Sequence, residues 1–254
     1  MMQLSENLLA ELAEWFFNPE TSAPAGIAGD RTEIAIQCFE QLFLWAPVIS
    51  LNAHAMSLFD RLIADQFWST PAAIIDYTLP HPKYFFLKHL LDRGYLLHGT
   101  KSSDIDVLEP RQQTDWKGNS VQAVFATQDV FWPMYFALLD RSALTGSLRN
   151  GCFLVERAPF QEERFYFFSV NRENITSNIW SDGFVYILPR EGFHPTTSGK
   201  VRFDEWASEQ PVPVAAKLPV SPADFPFLLQ VSGHEESESI FTTWLRYKDR
   251  LKAG

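Results

Sequence analysis

A chain of 254 residues that is 46% hydrophobic and 20% charged holds enough apolar material for a sizeable core, which excludes global disorder. The formal charge of −10 disfavours nucleic-acid binding through a general basic surface, because neutralising phosphates takes clustered Lys and Arg; a single basic cleft stays compatible with it. No run approaches the roughly 20 apolar residues of a membrane helix, and Met1 to Phe17 carries Glu6, Glu11 and Glu14 where a secretory signal is basic and then apolar. A cytoplasmic protein with no membrane partner is therefore expected.

The first 93 residues read as a helical N-terminal subdomain, because apolar residues return every three or four positions. Leu8, Leu12, Trp15 and Phe16 form one stripe behind the cap Ser5. Asn18 to Asp30 reads as a loop, and a second helix is predicted from Thr32 to Trp45, before Pro47. Met56, Phe59, Leu62 and Ile63 predict a third, with Asp60 and Arg61 outward, and Ser69-Thr70-Pro71 predicts the start of a short one. The next spans Pro82 to Arg93 and is closed by Gly94.

From Tyr95 the texture changes to short apolar and aromatic runs separated by polar, Gly and Pro stretches, which predicts strands. The candidates are Tyr95 to His98, Ala123 to Ala126, Cys152 to Glu156, Phe165 to Val170, Phe184 to Leu188, Val201 to Trp206 and Val212 to Leu218. One helix from Trp132 to Arg141 interrupts them, with Pro133 in its first turn, and the tail Glu236 to Lys252 predicts a last amphipathic helix through Ile240, Trp244 and Leu251. The expected architecture is α+β: residues 1–93 helical, 94–232 a β-rich domain, and 233–254 a C-terminal helix. Cys38 and Cys152 are too few and too far apart for a disulfide framework and are expected to be buried thiols. His54, His81, His89, His194 and His234-Glu235 show no ligand spacing, so no metal is expected.

The chemistry-bearing signal is Tyr95-Leu96-Leu97-His98-Gly99-Thr100, an imidazole where an apolar strand opens into a polar loop, followed by a glycine that lets a ligand approach the backbone. A second strand, Ala123-Val124-Phe125-Ala126-Thr127, leads into Phe131-Trp132-Pro133-Met134-Tyr135-Phe136-Ala137. This order resembles the ADP-ribosyltransferase-like superfamily over Tyr95 to Leu218, in its histidine-bearing branch with poly(ADP-ribose) polymerase-like and diphtheria-toxin-like enzymes, and more distantly the RNA 2′-phosphotransferases. With Leu108-Glu109-Pro110-Arg111 included, it is closer still to a group of bacterial proteins without an assigned activity.

The resemblance implies an ADP-ribosyltransferase-like core that takes NAD as substrate. It implies that His98 hydrogen-bonds a ribose hydroxyl, that Gly99 and Thr100 edge the nicotinamide, and that Phe125 stacks on its ring; a strand Phe turned into the core is the other reading of Phe125. It implies a late carboxylate, Glu205 in Phe203-Asp204-Glu205-Trp206 or else Glu209, that stabilises positive charge as nicotinamide leaves; a solvated loop carboxylate is the competing reading. Arg111 is either a phosphate ligand or a surface partner of Glu109 or Asp106, with Arg141 and Arg149 weaker phosphate candidates, and Asp129 is expected to cap the helix that follows it. The acceptor, a protein group, a nucleic acid or water, is left open. An RNA 2′-phosphotransferase-like enzyme and a non-catalytic nucleotide-binding module are the alternatives. A Ser/His/Asp hydrolase is disfavoured, because no G-x-S-x-G elbow is present.

Overall fold

The computed structural model describes residues 2–67, 70–114, 119–158 and 161–253. Helix α1 (Glu6–Phe17) opens where its spacing predicts, with the Ser5 hydroxyl accepting from Leu8 N, and α2 (Arg31–Leu42) is capped by Asp30, whose carboxylate accepts from Thr32 N and Glu33 N. The second helix stops short of its predicted end at Trp45. Leu44 and Trp45 form strand β1 (Leu44–Trp45) instead, since pairing with a long central strand outcompetes another helical turn.

Helix α3 (Ala53–Gln66) begins at Asn52, which accepts from Ala55 N, and buries Ala55, Phe59 and Leu62; Met56, expected on that stripe, is exposed. The short helix expected at Ser69-Thr70-Pro71 does not form in its described part: Thr70 and Pro71 lie in a bend and turn, and β2 (Ala73–Ile74) follows at once. Ser69 lies outside the described residues. Helix α4 (Lys83–Asp92) ends as expected on Gly94, whose φ of 86° needs no Cβ penalty.

The strands then run β3 (Tyr95–Thr100), β4 (Val107–Leu108), β5 (Arg111–Thr114) and β6 (Ser120–Ala126), followed by helix α5 (Trp132–Leu138). Helix α5 stops three residues before the predicted Arg141. Its exit is pulled into pairing by Asp140 N donating to Ile179 O and Ser181 N donating to Leu138 O. A long hairpin, β7 (Leu148–Ala158) and β8 (Gln161–Asn171), precedes β9 (Gly183–Pro189) and the short β10 (His194–Pro195).

Two predicted strands are each broken in two. Val201 to Trp206 becomes β11 (Val201–Phe203) and β12 (Trp206–Ser208), and Val212 to Leu218 becomes β13 (Val212–Pro213) and β14 (Ala216–Val220). Strand β15 (Ser232–His234) and helix α6 (Ile240–Ala253) close the chain. The residues before α6 are not helical because Arg149 takes up the carbonyls of Glu236, Glu238 and Ser239. Arg149, a weak phosphate candidate by sequence, is thus the anchor of this segment.

The α+β class is as expected. One sheet runs β1-β8-β7-β11 with β15 also on β8, a second β2-β14-β9-β3, and a third β10-β12-β6-β5, while β4 pairs with β13. The sheets are stitched together at a few points. Leu97 and Thr127 exchange both backbone hydrogen bonds at 3.0 Å and so join β3 to the end of β6. The helices of the first 93 residues share their cores with the strands: α1, α2 and α6 bury Phe16, Phe39, Phe43 and Trp244 against Phe153 and Phe167 of the hairpin. Helices α3 and α4 join α5 in a second core over β3, β9 and β14. Both cysteines are buried, as expected, and burial pushes the Cys38 thiol up to about 12. No described helix is long and apolar enough to cross a membrane.

Helix α5 lies directly on backbone. A Cβ on Gly99 would stand 1.9 Å from the Pro133 carbonyl oxygen, and one on Gly183 would stand 1.9 Å from that of Ala137. Neither obstacle is a side chain that can turn away. Gly99→Ala is therefore expected to lower stability by about 3 kcal/mol, the upper end of ordinary overpacking, measured as a shifted urea midpoint. An unchanged midpoint would show that the helix can lift from the sheet.

Candidate active site

On β3, Leu97 enters the core beneath α5, and His98 takes the opposite face, shared with Leu96. The Leu97–Thr127 stitch brings the end of β6 alongside, so that His98 Nδ1 lies 2.8 Å from the Phe125 carbonyl oxygen. A carbonyl only accepts, so Nδ1 carries the proton and Nε2 keeps its lone pair. Burial pushes the His98 pKa below its ordinary value; the Phe125 carbonyl opposes this, and Arg141 and Arg111 reinforce it. The imidazole is thus neutral at pH 7, with Nε2 an acceptor that has no partner among the described residues.

Helix α5 supplies another wall of the cavity. Buried Asp129 caps it, as expected, accepting from Phe131 N at 2.8 Å and Trp132 N at 2.6 Å, and it also accepts from the Tyr166 hydroxyl. This fixes Trp132 and Phe136 one turn apart along the cavity, and the Trp132 indole N–H is held by Asn150 Oδ1 at 2.6 Å.

The carboxylate comes from the break between β11 and β12. There the chain leaves the hairpin sheet, where β11 pairs with β7, and enters the sheet of β6, where Ala207 stands opposite Phe125. Asp204 locks the corner: its side chain is buried, pairs with Arg164 at 3.0 Å and accepts from Gln128 N at 3.1 Å. Glu205, half-buried, accepts from the Thr196 hydroxyl at 2.9 Å. Trp206 to Ser208 then continue as strand β12, and the corner before them leaves Glu205 on the cavity.

His98, Gly99, Phe125, Trp132, Phe136 and Glu205 line one cavity of about 240 Å³. Phe125 is half-buried, lines this cavity and belongs to none of the three apolar cores. Glu209, the fallback carboxylate, is exposed and lines none of the main cavities. An adjoining cleft of about 560 Å³ shares His98, Gly99 and Phe125 and adds Thr100, Lys101 and Arg111. Arg141 lines both spaces and sits 5.7 Å from the Phe136 ring centroid. The surface ion pair considered for Arg111 is not formed among the described residues, since Asp106 bonds Lys217 at 2.7 Å. Gly99 also has a packing reason of its own, the approach of α5. No cluster of His, Cys, Asp and Glu that could hold a metal occurs among the described residues.

Trp132 and Phe136 as cavity walls, and the rank of Arg141, are what sequence reasoning missed. Their only signal was the three- to four-residue spacing from Trp132 to Phe136, which states a shared face but not what that face meets.

In a nitrogen-edited NMR titration, His98 is expected as the Nδ1–H tautomer with a midpoint below the ordinary value of about 6.5. A midpoint above that value would remove the neutral acceptor from the site. No family model matches this chain, and neither does any curated protein or solved structure.

Proposed function

We propose that this chain is an NAD-binding, ADP-ribosyltransferase-like protein that transfers ADP-ribose from NAD to an acceptor and releases nicotinamide. One observation carries the reading: His98 of β3, Phe125 of β6 and Glu205 of the corner between β11 and β12 line a single cavity. The cavity alone is smaller than most small-molecule sites, but with the adjoining cleft it reaches the usual range of about 300–1,000 Å³.

In this reading the neutral His98 Nε2 accepts from a ribose hydroxyl, and Phe125 offers a face to the nicotinamide ring. Arg111 and Arg141 hold the diphosphate in the cleft, where paired guanidinium hydrogen bonds suit phosphate oxygens. Thr100 and the Gly99 backbone edge the pocket between them. Glu205, oriented by Thr196, is the catalytic residue: its negative charge stabilises the cationic ribose that forms as the bond from C1′ to nicotinamide breaks.

A second reading, RNA 2′-phosphate transfer, draws on the same cleft, because Arg111, Arg141 and Lys101 all line it. The overall charge of −10 counts against a long RNA partner.

Titration calorimetry with NAD tests the proposal. Wild type is expected to bind, and His98→Ala to bind at least about tenfold more weakly, the loss of one hydrogen bond near the upper end of its usual worth. Nicotinamide release is expected to fall by about 10²–10³ in Glu205→Gln with NAD affinity held within a few-fold. Equal heats in wild type and His98→Ala, or none in either, would sink the NAD reading. NAD binding without any nicotinamide release would leave a nucleotide-binding module, and release of phosphate from a 2′-phosphorylated RNA would favour the second reading.

A further inference from the structure

Glu205, Trp132 and Phe136 border a second space as well. Behind them lies a cavity of about 490 Å³ whose far walls are Phe153, Phe167 and Phe203 of the hairpin sheet, Phe17 of α1, and Phe241 and Trp244 of α6. Ala10, Ala13 and Glu14 of α1 complete the rim. The two terminal helices, remote in sequence from the histidine motif, therefore build a chamber that meets the first cavity at its carboxylate. Its volume lies within the range of small-molecule sites.

We propose that this chamber is the acceptor subsite, and that the acceptor it takes is a small, flat arylalkyl amine. This rests on the reading of the first cavity as an NAD site. Three features of the lining select that chemistry. Aromatic rings dominate the walls and favour a flat apolar body. Both charged side chains in the lining, Glu14 and Glu205, are carboxylates, and no Lys, Arg or His lines it among the described residues, so a cation is favoured over an anion. A cationic nitrogen among aromatic faces gains a further attraction from the ring quadrupoles. A phosphorylated or carboxylate acceptor would meet like charge and no donor of positive charge.

The position suits transfer, because among the described residues Glu205 is the one ionisable group common to both cavities. The acceptor ammonium gives up a proton to Glu205 and through it to solvent. The amine nitrogen then supplies an electron pair for a new bond to ribose C1′, while the pair of the old bond leaves with the nicotinamide nitrogen. A second proton is lost from the new secondary ammonium, leaving a neutral amine on ADP-ribose and neutral nicotinamide.

Tryptamine and its neutral isostere tryptophol are suitable probes, measured on the full chain first without and then with NAD. Tryptamine is expected to bind roughly five- to tenfold more tightly than tryptophol. Glu14→Lys, at an exposed rim position, is expected to abolish or reverse that preference, and Ala13→Phe, which fills the chamber, to weaken both probes by tenfold or more. The ratio between the two probes is unaffected by a general loss of folded protein, and thermal midpoints check the variants. With NAD present, mass spectrometry is expected to find the ADP-ribosyl adduct of tryptamine. Equal affinity for the two probes, a preference untouched by Glu14→Lys, or hydrolysis of NAD with no adduct at saturating tryptamine would overturn the subsite. NAD binding that depends on His98 beside a chamber that ignores both probes would overturn this inference alone. A chamber that binds tryptamine in a protein that ignores NAD would overturn the NAD reading, and the acceptor role with it.

Discussion

The contact on which the site depends is that of α5 with the bare backbone of β3 and β9. Because Gly99 and Gly183 present no Cβ, the helix drops onto the sheet until its carbonyls nearly touch the strands. That depth brings the helix start beneath the end of β6, where Asp129 can cap it from within the core, and it places Trp132 and Phe136 on the cavity that His98 and Gly99 also line. A helix held one side-chain layer higher would open the cavity and take its aromatic wall out of reach of both the histidine and the carboxylate. The glycine after His98 is thus a packing requirement first, and its value to a ligand follows from the same bareness.

A second constraint converges on the same place from the other side. The β7–β8 hairpin sheet and the sheet of β6 are joined through β11 and β12, and the chain must turn sharply between them. Asp204 holds the turn through Arg164 and Gln128 N, burying a charge that its partner and the backbone amide satisfy. Glu205 then has little choice of direction. Neighbouring carboxylates take opposite roles by environment: the one turned inward is structural, and the one turned outward faces two cavities.

The electrostatics of the two cavities differ in sign. The cleft beyond His98 is edged by Lys101, Arg111 and Arg141 against Glu109 and Asp140, and burial, reinforced by Arg141 and Arg111, keeps the imidazole neutral. The chamber behind Glu205 has, among the described residues, carboxylates alone as its charged groups, in a frame of aromatic rings. In the proposed reading an anionic dinucleotide and a cationic acceptor each meet complementary charge, with Glu205 between them. The net charge of −10 conceals this division, since it averages over a surface on which the basic residues near His98 are a local minority.

Local periodicity and capping chemistry were enough to determine the α+β class, the helix behind Ser5, the helix closed by Gly94 and the strand that opens at Tyr95, which runs two residues past its predicted end at His98; four of the residues that line the cavity, His98, Gly99, Phe125 and Glu205, were singled out by their motifs and the resemblance those carry. Those signals depend on interactions within a few residues, which a sequence states directly. Only the tertiary structure decided which faces meet. It drew Leu44 and Trp45 out of a helix and onto β8, shortened α5 by pairing its exit with residues 179–181, and broke one predicted strand at Asp204-Glu205. It also brought α1 and α6, from opposite ends of the chain, over the hairpin to close the chamber at Glu205. Each of these outcomes is set by a partner distant in sequence, and no local pattern of apolar and polar residues names that partner.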